Sequence, residues 1–119
     1  MIWFLVAAGG AIGSVSRWVM VSIVPDARSG FPVSISVVNV IGSFALGFVI
    51  GAARPATLLV DLQPFTVGAL GGFTTFSTWM VDIDAAEDRR LGMAIVAIPT
   101  VLGVGAAAIG IVIGVAIGR

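Results

Sequence analysis

Long apolar segments separated by short polar ones dominate the hydropathy pattern of this chain. Apolar residues run from about residue 2 to 24, 33 to 53, 62 to 81 and 91 to 118. Each segment reaches the roughly 20 residues that an α-helix needs to cross the hydrocarbon core of a bilayer. The pattern therefore predicts an all-α membrane protein, a single transmembrane domain over residues 1–119 with four transmembrane helices.

The third apolar segment is interrupted in its middle by residues that disfavour a continuous helix. Adjacent Gly71 and Gly72 are followed by four hydroxyl side chains, those of Thr74, Thr75, Ser77 and Thr78. Glycine lowers helix propensity, whereas serine and threonine compete for backbone hydrogen bonds and favour helix starts. We predict a helix broken in mid-membrane, whose first half ends near Gly71 and whose second half begins around Thr74 or Thr75. The alternative is a continuous helix whose small residues serve close packing.

A break at membrane depth frees backbone groups that protein or a water-filled cavity must satisfy. Carbonyl groups at the end of the first half attract cations, and amide groups at the start of the second half attract anions. The interrupted span is therefore a candidate ion site.

Two polar residues in the first two spans are candidates for the same site. Arg17 lies about one and a half turns before the end of the first span. From there it either reaches the lipid headgroups or places a fixed positive charge at the mouth of an aqueous vestibule. Asn39 shares one face of the second span with Ser36 and Ser43. Its amide is too costly to face lipid, so it either bridges helices or donates to an anion.

Small residues recur at four-residue spacing, which allows helix backbones to approach closely. The spacing occurs at Gly9 and Gly13, at Gly47 and Gly51, and at Gly110, Gly114 and Gly118. The fourth span also carries Pro99, which we expect to kink the helix, and Thr100, its only hydroxyl side chain. We therefore expect close contacts between the spans.

Composition and charge exclude several classes of function. Of the 119 residues, 59% are hydrophobic and 10% are charged. Because six basic side chains balance six acidic ones, the chain has no excess of positive charge that would indicate nucleic-acid binding. Cysteine and histidine are absent, which excludes disulfides, thiolate chemistry and imidazole catalysis or metal ligation. Every acidic residue lies in a loop or at a span end, and no nucleotide motif is present. We predict passive ion flow and no enzymatic activity.

Four spans place both chain termini on one side of the membrane. Arginine and lysine residues that flank the spans set the orientation. Here the two sides nearly balance, with Arg54 and Arg119 on one and Arg28, Arg89 and Arg90 on the other. A chain with so little bias can insert in both orientations. We therefore predict an antiparallel, dual-topology dimer whose two broken helices cross near the midplane.

Three motifs occur in a distinctive order and spacing: Gly9–Arg17 (GGAIGSVSR), Asn39–Phe44 (NVIGSF) and Gly68–Trp79 (GALGGFTTFSTW). Together they resemble the Fluc (CrcB) family of small fluoride channels, and the third motif is the most specific. The resemblance implies a multi-pass channel in the bacterial cell (inner) membrane that exports cytoplasmic fluoride and so protects against its toxicity. It also implies an antiparallel homodimer, or a heterodimer with a paralogous subunit, with a structural Na⁺ at the dimer centre that is not transported.

The resemblance implies roles for residues of all three motifs. The backbone carbonyl groups of Gly71 and Thr74 match those that bind the family's Na⁺. Asn39 matches the pore asparagine, and Arg17 matches the vestibule arginine. These residues would place the cation at the helix break and the anion pathway beside it.

The pore-lining part of the third motif departs from the family at one position. Phe76 matches the first residue of an aromatic pair, but Trp79 stands where a second phenylalanine is usual. The indole adds an N–H donor, which serves either the ion or a neighbouring carbonyl group. Ser77 and Thr78 fit the hydroxyl-bearing part of the ion track. The fourth span often supplies a serine or tyrosine track in the family, and here it offers only Thr100.

Uncharged donors suit fluoride because the ion is small, strongly hydrated and an avid hydrogen-bond acceptor, and a pore must replace its water without trapping it. The chief rival function is a small multidrug-type dual-topology exporter, which needs a carboxylate embedded in the membrane. A non-conducting membrane scaffold is the second rival. It accounts for the glycines but not for Asn39 or the hydroxyl cluster.

Overall fold

The computed structural model describes residues 1–53 and 61–118, and within these ranges all regular structure is helical. The helices are α1 (Ile2–Ile23), α2 (Val33–Ala52), α3 (Gln63–Phe73), α4 (Ser77–Asp84) and α5 (Arg89–Ile117). Three of them, α1, α2 and α5, are long and apolar enough to cross a membrane. The prediction of an all-α, multi-pass membrane protein is confirmed. Arg54 and Arg119, which entered the orientation argument, lie outside the described residues.

Polar groups in the connecting segments satisfy the free amide groups at two helix starts. The Oδ1 atom of Asp26 accepts a hydrogen bond of 2.9 Å from the backbone N–H of Ser34, in the first turn of α2. Asp88 caps α5, because its Oδ1 atom accepts a hydrogen bond of 2.7 Å from the backbone N–H of Leu91. Carboxylates stabilise helix starts both as acceptors and by their charge. These caps define where the second and fourth spans begin.

The third span is interrupted as predicted, but the break lies a few residues later than the sequence indicated. Helix α3 ends at Phe73 rather than near Gly71, and α4 begins at Ser77 rather than around Thr74 or Thr75. The physical reason lies in Gly72, where a β-carbon would overlap the backbone carbonyl of Gly10 on α1. Gly72 therefore serves helix packing and remains helical, and Gly71, beside which the space is open, remains helical with it. At 11 and 8 residues, α3 and α4 are each too short to cross a bilayer alone.

The helices form two closely packed pairs, α1 with α3 and α2 with α5. At eight glycines a β-carbon would overlap the backbone of the facing helix: Gly9, Gly13, Gly68 and Gly72 in the first pair, and Gly47, Gly51, Gly110 and Gly114 in the second. The close contacts predicted from small-residue spacing are thereby confirmed for six of these positions. Each pair packs backbone against backbone, and α4 lies against α5.

Apolar side chains cover much of the outer surface of the chain. Trp3, Phe4, Val101 and Val112 are all more than half exposed, whereas Val38 and Ile95 are almost completely buried. Apolar exposure of this extent is expected where lipid, and not water, surrounds the helices. The two helix pairs contact each other where α2 meets α1 and α3, and hydrogen bonds at the break in the third span also join them.

Candidate ion site at the helix break

Asn39 on α2 binds the backbone of Thr75 with both ends of its side-chain amide. The Nδ2 atom donates to the Thr75 carbonyl at 3.0 Å, and the Oδ1 atom accepts from the Thr75 N–H at 3.0 Å. Because the backbone offers one donor and one acceptor, this pairing determines the orientation of the amide. Asn39 therefore bridges two spans, which was one of its two predicted roles. One hydrogen on Nδ2 is not used in this contact.

The contact with Asn39 also changes the hydrogen bonding of the break. In a continuous helix the N–H of Thr75 would donate to the carbonyl of Gly71, four residues earlier. It donates to Asn39 instead. The backbone at Thr74 is extended, with φ −76° and ψ 156°, so the chain leaves the helical path here. The Asn39 amide thus supplies the N–H and the carbonyl of Thr75 with partners in place of helical ones.

The hydroxyl of Thr75 organises the start of α4. Its Oγ1 atom donates to Oγ1 of Thr78 at 3.1 Å and accepts from the backbone N–H of Thr78 at 3.3 Å. It also lies 3.5 Å from Oγ of Ser77. Thr75 is buried, whereas Ser77 and Thr78 are exposed. Sequence reasoning missed Thr75 as a site residue, although the hydroxyl run and the helix-capping preference of threonine pointed to it.

Arg17 reaches the break from α1. Its Nη1 atom donates to the carbonyl oxygen of Thr74 at 3.3 Å, and the side chain is half-buried. The guanidinium therefore binds the interrupted span directly. Together with the amide of Asn39, it connects the break to both helix pairs.

The carbonyl groups assigned to Na⁺ by resemblance both lie at the break. The N–H of Thr75 is directed to Asn39 and so leaves the Gly71 carbonyl without its helical donor. Space beside Gly71 is open, since a β-carbon there would meet nothing within 4 Å. Neutral carbonyl oxygens suit Na⁺, as at other discontinuous helices. A bound cation needs several carbonyl oxygens in place of its hydration shell, so two carbonyl groups from one chain form only part of a site.

Two cavities at the break share three lining residues, Asn39, Ser43 and Trp79. The larger, about 460 Å³, follows the break and is also lined by Gly71, Thr74, Thr75 and Phe76. The smaller, about 230 Å³, extends to α5, where Pro99, Thr100, Gly103 and Val104 line it. These residues include Asn39 and Ser43 of the polar face predicted for α2, but not Ser36, together with the single hydroxyl of the fourth span. Within the described ranges, Ser77 and Thr78 line neither of the two cavities.

The aromatic pair of the third motif lies at the edge of the larger cavity. The rings of Phe76 and Trp79 are 5.8 Å apart and inclined at 69°, an edge-to-face arrangement. Phe76 is 68% exposed in the single chain. The Nε1–H of Trp79 donates to the backbone carbonyl of Ile95 on α5 at 2.8 Å. Of the two partners considered for this indole, the structure shows the neighbouring carbonyl.

These observations define a class of protein: a multi-pass helical membrane protein with a discontinuous span whose polar backbone and side chains line a cavity. The sequence profile described as "CrcB-like protein, Camphor Resistance (CrcB)" matches residues 4–115, and the chain therefore belongs to the CrcB family. The family predicted from the three motifs is confirmed.

Several curated relatives share most of the length of the chain. A Deinococcus radiodurans protein named fluoride-specific ion channel FluC is 37% identical over an alignment 119 positions long, which covers 95% of this chain and 94% of the relative. FluC 1 of Halobacterium salinarum is 43% identical over 106 residues, covering 87% and 84%. Symbiobacterium thermophilum has two such proteins, FluC 1 at 37% identity over 96% of this chain and FluC 2 at 39% over 87%.

Proposed function

We propose that this protein is a passive, fluoride-selective ion channel and that the break in the third span lines the ion path. Relatives that match nearly the whole chain carry the name fluoride-specific ion channel. The observation that carries the proposal for the site is the Asn39 amide. It is held on Thr75 by two hydrogen bonds and lines both cavities with one N–H still to donate.

The lining of the cavities suits a small anion. Moving a bare ion of this size into a low-dielectric medium costs tens of kcal/mol by idealised Born reckoning, so the path must supply donors in place of water. Asn39 and Ser43 are uncharged potential donors that line both cavities, whereas the hydroxyl of Thr100 donates to the carbonyl of Val96. The edge of an aromatic ring carries partial positive charge, which allows Phe76 to face an anion with its rim. Neutral donors replace hydration without trapping the ion.

The direction of flow follows from the membrane potential. A potential that is negative inside drives an anion outward by about 2.3 kcal/mol per charge per 100 mV. Passive conduction is therefore sufficient to expel fluoride that has entered as neutral HF and ionised in the cytoplasm. We place the protein in the bacterial cell (inner) membrane, where it protects the cell against fluoride.

A second, inverted copy would complete the site. Phe76 is 68% exposed and the space beside Gly71 is open in the single chain. The carbonyl groups of Gly71 and Thr74 would bind a structural Na⁺ together with the same groups of the partner, and this ion would not be transported. The partner is either an identical chain or a paralogue. The occurrence of FluC 1 and FluC 2 in one organism supports the second possibility.

Growth of a bacterium that lacks its own fluoride channel tests the proposed function in cells. Expression of this chain, with a paralogue from its own genome where one exists, is expected to restore growth in millimolar fluoride. An equally expressed Asn39→Asp variant should not restore it. Resistance to cationic dyes without fluoride resistance would instead identify a multidrug exporter, and neither phenotype would identify a scaffold.

Replacing Phe76 by isoleucine is expected to slow fluoride efflux from liposomes by roughly 3- to 10-fold. The change removes the ring edge, whose favourable contacts are worth about 0.5–1.5 kcal/mol. Phe4→Ile is the matched control, because Phe4 is similarly exposed at 74% but lies at the far end of α1. Equal rates for the Phe76→Ile and wild-type proteins, at equal yields of folded protein, would contradict the role of the ring edge.

A further inference from the structure

The carbonyl group of Ile95 lacks its regular helical partner. In an α-helix this carbonyl would accept from the N–H of residue 99. Residue 99 is a proline inside α5, and proline has no N–H. Ile95 is 1% exposed, so its carbonyl is shielded from solvent. A buried carbonyl group without a donor is strongly disfavoured.

The side chain of Trp79 on α4 supplies the missing donor. Its Nε1–H donates to the Ile95 carbonyl at 2.8 Å, which joins the short helix α4 to α5. The hydroxyl next to Pro99 does not serve this purpose, because Oγ1 of Thr100 donates to the carbonyl of Val96 at 2.6 Å. The indole N–H therefore donates to the carbonyl that has no helical donor because residue 99 is proline.

The same hydrogen bond determines how the indole ring meets the cavities. Trp79 lines both cavities and lies edge-to-face with Phe76. An indole has a single N–H, which here points at α5. The part of the indole that lines the cavities is therefore the carbon framework of the ring.

We propose that Trp79 and Pro99 act as a pair, in which the indole N–H replaces the backbone donor that Pro99 lacks. The bond holds the second half of the broken span against α5 and presents the carbon framework of the indole, not its N–H, to the ion path. Trp79 is therefore a positioning residue. The pairing itself does not depend on which ion passes, whereas the statement about the ion path rests on the proposed function.

A double-mutant cycle on the full chain in detergent tests the pairing. The four proteins are wild type, Trp79→Phe, Pro99→Ala and the double variant. Phenylalanine keeps an aromatic ring without the donor, whereas the alanine in Pro99→Ala supplies a backbone N–H to the Ile95 carbonyl. With Pro99 present, Trp79→Phe is expected to lower the folded-to-unfolded ratio on the order of 10-fold, the effect of leaving a buried carbonyl unpaired.

In the Pro99→Ala background the same substitution is expected to cost less than about 2-fold, because the carbonyl already has a donor. Equal losses in both backgrounds would overturn the proposal. Trp3→Phe is the control for removal of an indole, since Trp3 is 84% exposed, and it should be neutral in both backgrounds. If Trp79→Phe yields no folded protein, recovery in the double variant supports the pairing and lack of recovery refutes it.

The indole ¹⁵N–¹H resonance of Trp79 provides a readout that a general packing role would not change. In the wild type we expect slow hydrogen exchange at this N–H and the same chemical shift in NaF as in NaCl. In the Pro99→Ala protein, exchange should be at least about 10-fold faster, because the carbonyl is then shared between two donors. A wild-type resonance that moves with fluoride would overturn the orientation. The stability cycle needs no ion, so failure of fluoride conduction and failure of the pairing give different results.

Discussion

Replacing Asn39 by aspartate is expected to reduce fluoride efflux about 100-fold or more. A carboxylate cannot donate to the Thr75 carbonyl, which now accepts from Nδ2 of Asn39 at 3.0 Å. It also adds negative charge to the path. At about 5 Å and an effective dielectric constant near 20, like charges repel by about 3 kcal/mol, and each 1.4 kcal/mol is a factor of ten. The initial rate of fluoride release from liposomes measures the effect.

Two further variants separate charge from bridging at this position. Asn39→Leu removes the contact with Thr75 without adding charge, so a smaller loss than in Asn39→Asp would isolate the electrostatic part. Ser36→Ala is the control on the same helix. Its hydroxyl donates to the Pro32 carbonyl at 2.7 Å and lies outside the lining of both cavities. Wild-type flux in Asn39→Asp would remove Asn39 from the path.

The second large effect is expected from Gly13→Ala, a change of one methyl group. A β-carbon at Gly13 would overlap the backbone carbonyl of Ala69 and crowd the backbone N–H of Phe73, the last residue of α3. Backbone cannot move aside as a side chain can, so α1 and α3 must separate. Overpacking of this kind costs about 1–3 kcal/mol and occasionally more. A lower midpoint of thermal unfolding in detergent, together with slower fluoride efflux, is the expected result.

Gly10→Ala is the matched control in the same helix. A β-carbon at Gly10 would lie 3.7 Å from the carbonyl oxygen of Gly68, an ordinary contact. Alanine gains up to about 1 kcal/mol over glycine in helix propensity, so this variant should be as stable as the wild type or more stable. Equal midpoints for the two alanine variants would show that the α1–α3 contact is looser than the structure has it.

The helical part of the fold follows closely from sequence because it depends on local properties. Long apolar runs with few charges identify α1, α2 and α5, since backbone polar groups must be satisfied within each span. The break was also predictable, from the glycines and hydroxyls in one run. Its position was not, because Gly71 and Gly72 favour both termination and close packing. Only the structure, in which the backbone of Gly10 faces Gly72, shows that close packing and not helix termination explains this glycine.

The partners of the site residues could not be predicted, since they depend on contacts between distant parts of the chain. Asn39 and Thr75 are 36 positions apart, and nothing local to Asn39 distinguishes bridging from donating to an anion. Trp79 shows the same limit. The free carbonyl four residues before Pro99 can be read from the sequence, but the indole that reaches it cannot. Resemblance to a family assigned Asn39 to the path, and the structure adds how its amide is held.

Fluoride and chloride release from liposomes tests the central claim, that the interrupted span forms a passage for fluoride. Vesicles loaded with both potassium salts would contain this chain alone or with a paralogue from its own genome, and valinomycin would let K⁺ follow the anion. Ion-selective electrodes should record rapid loss of fluoride and retention of chloride in at least one of the two preparations. Chloride release at the fluoride rate, or no fluoride release from either preparation, would contradict the account.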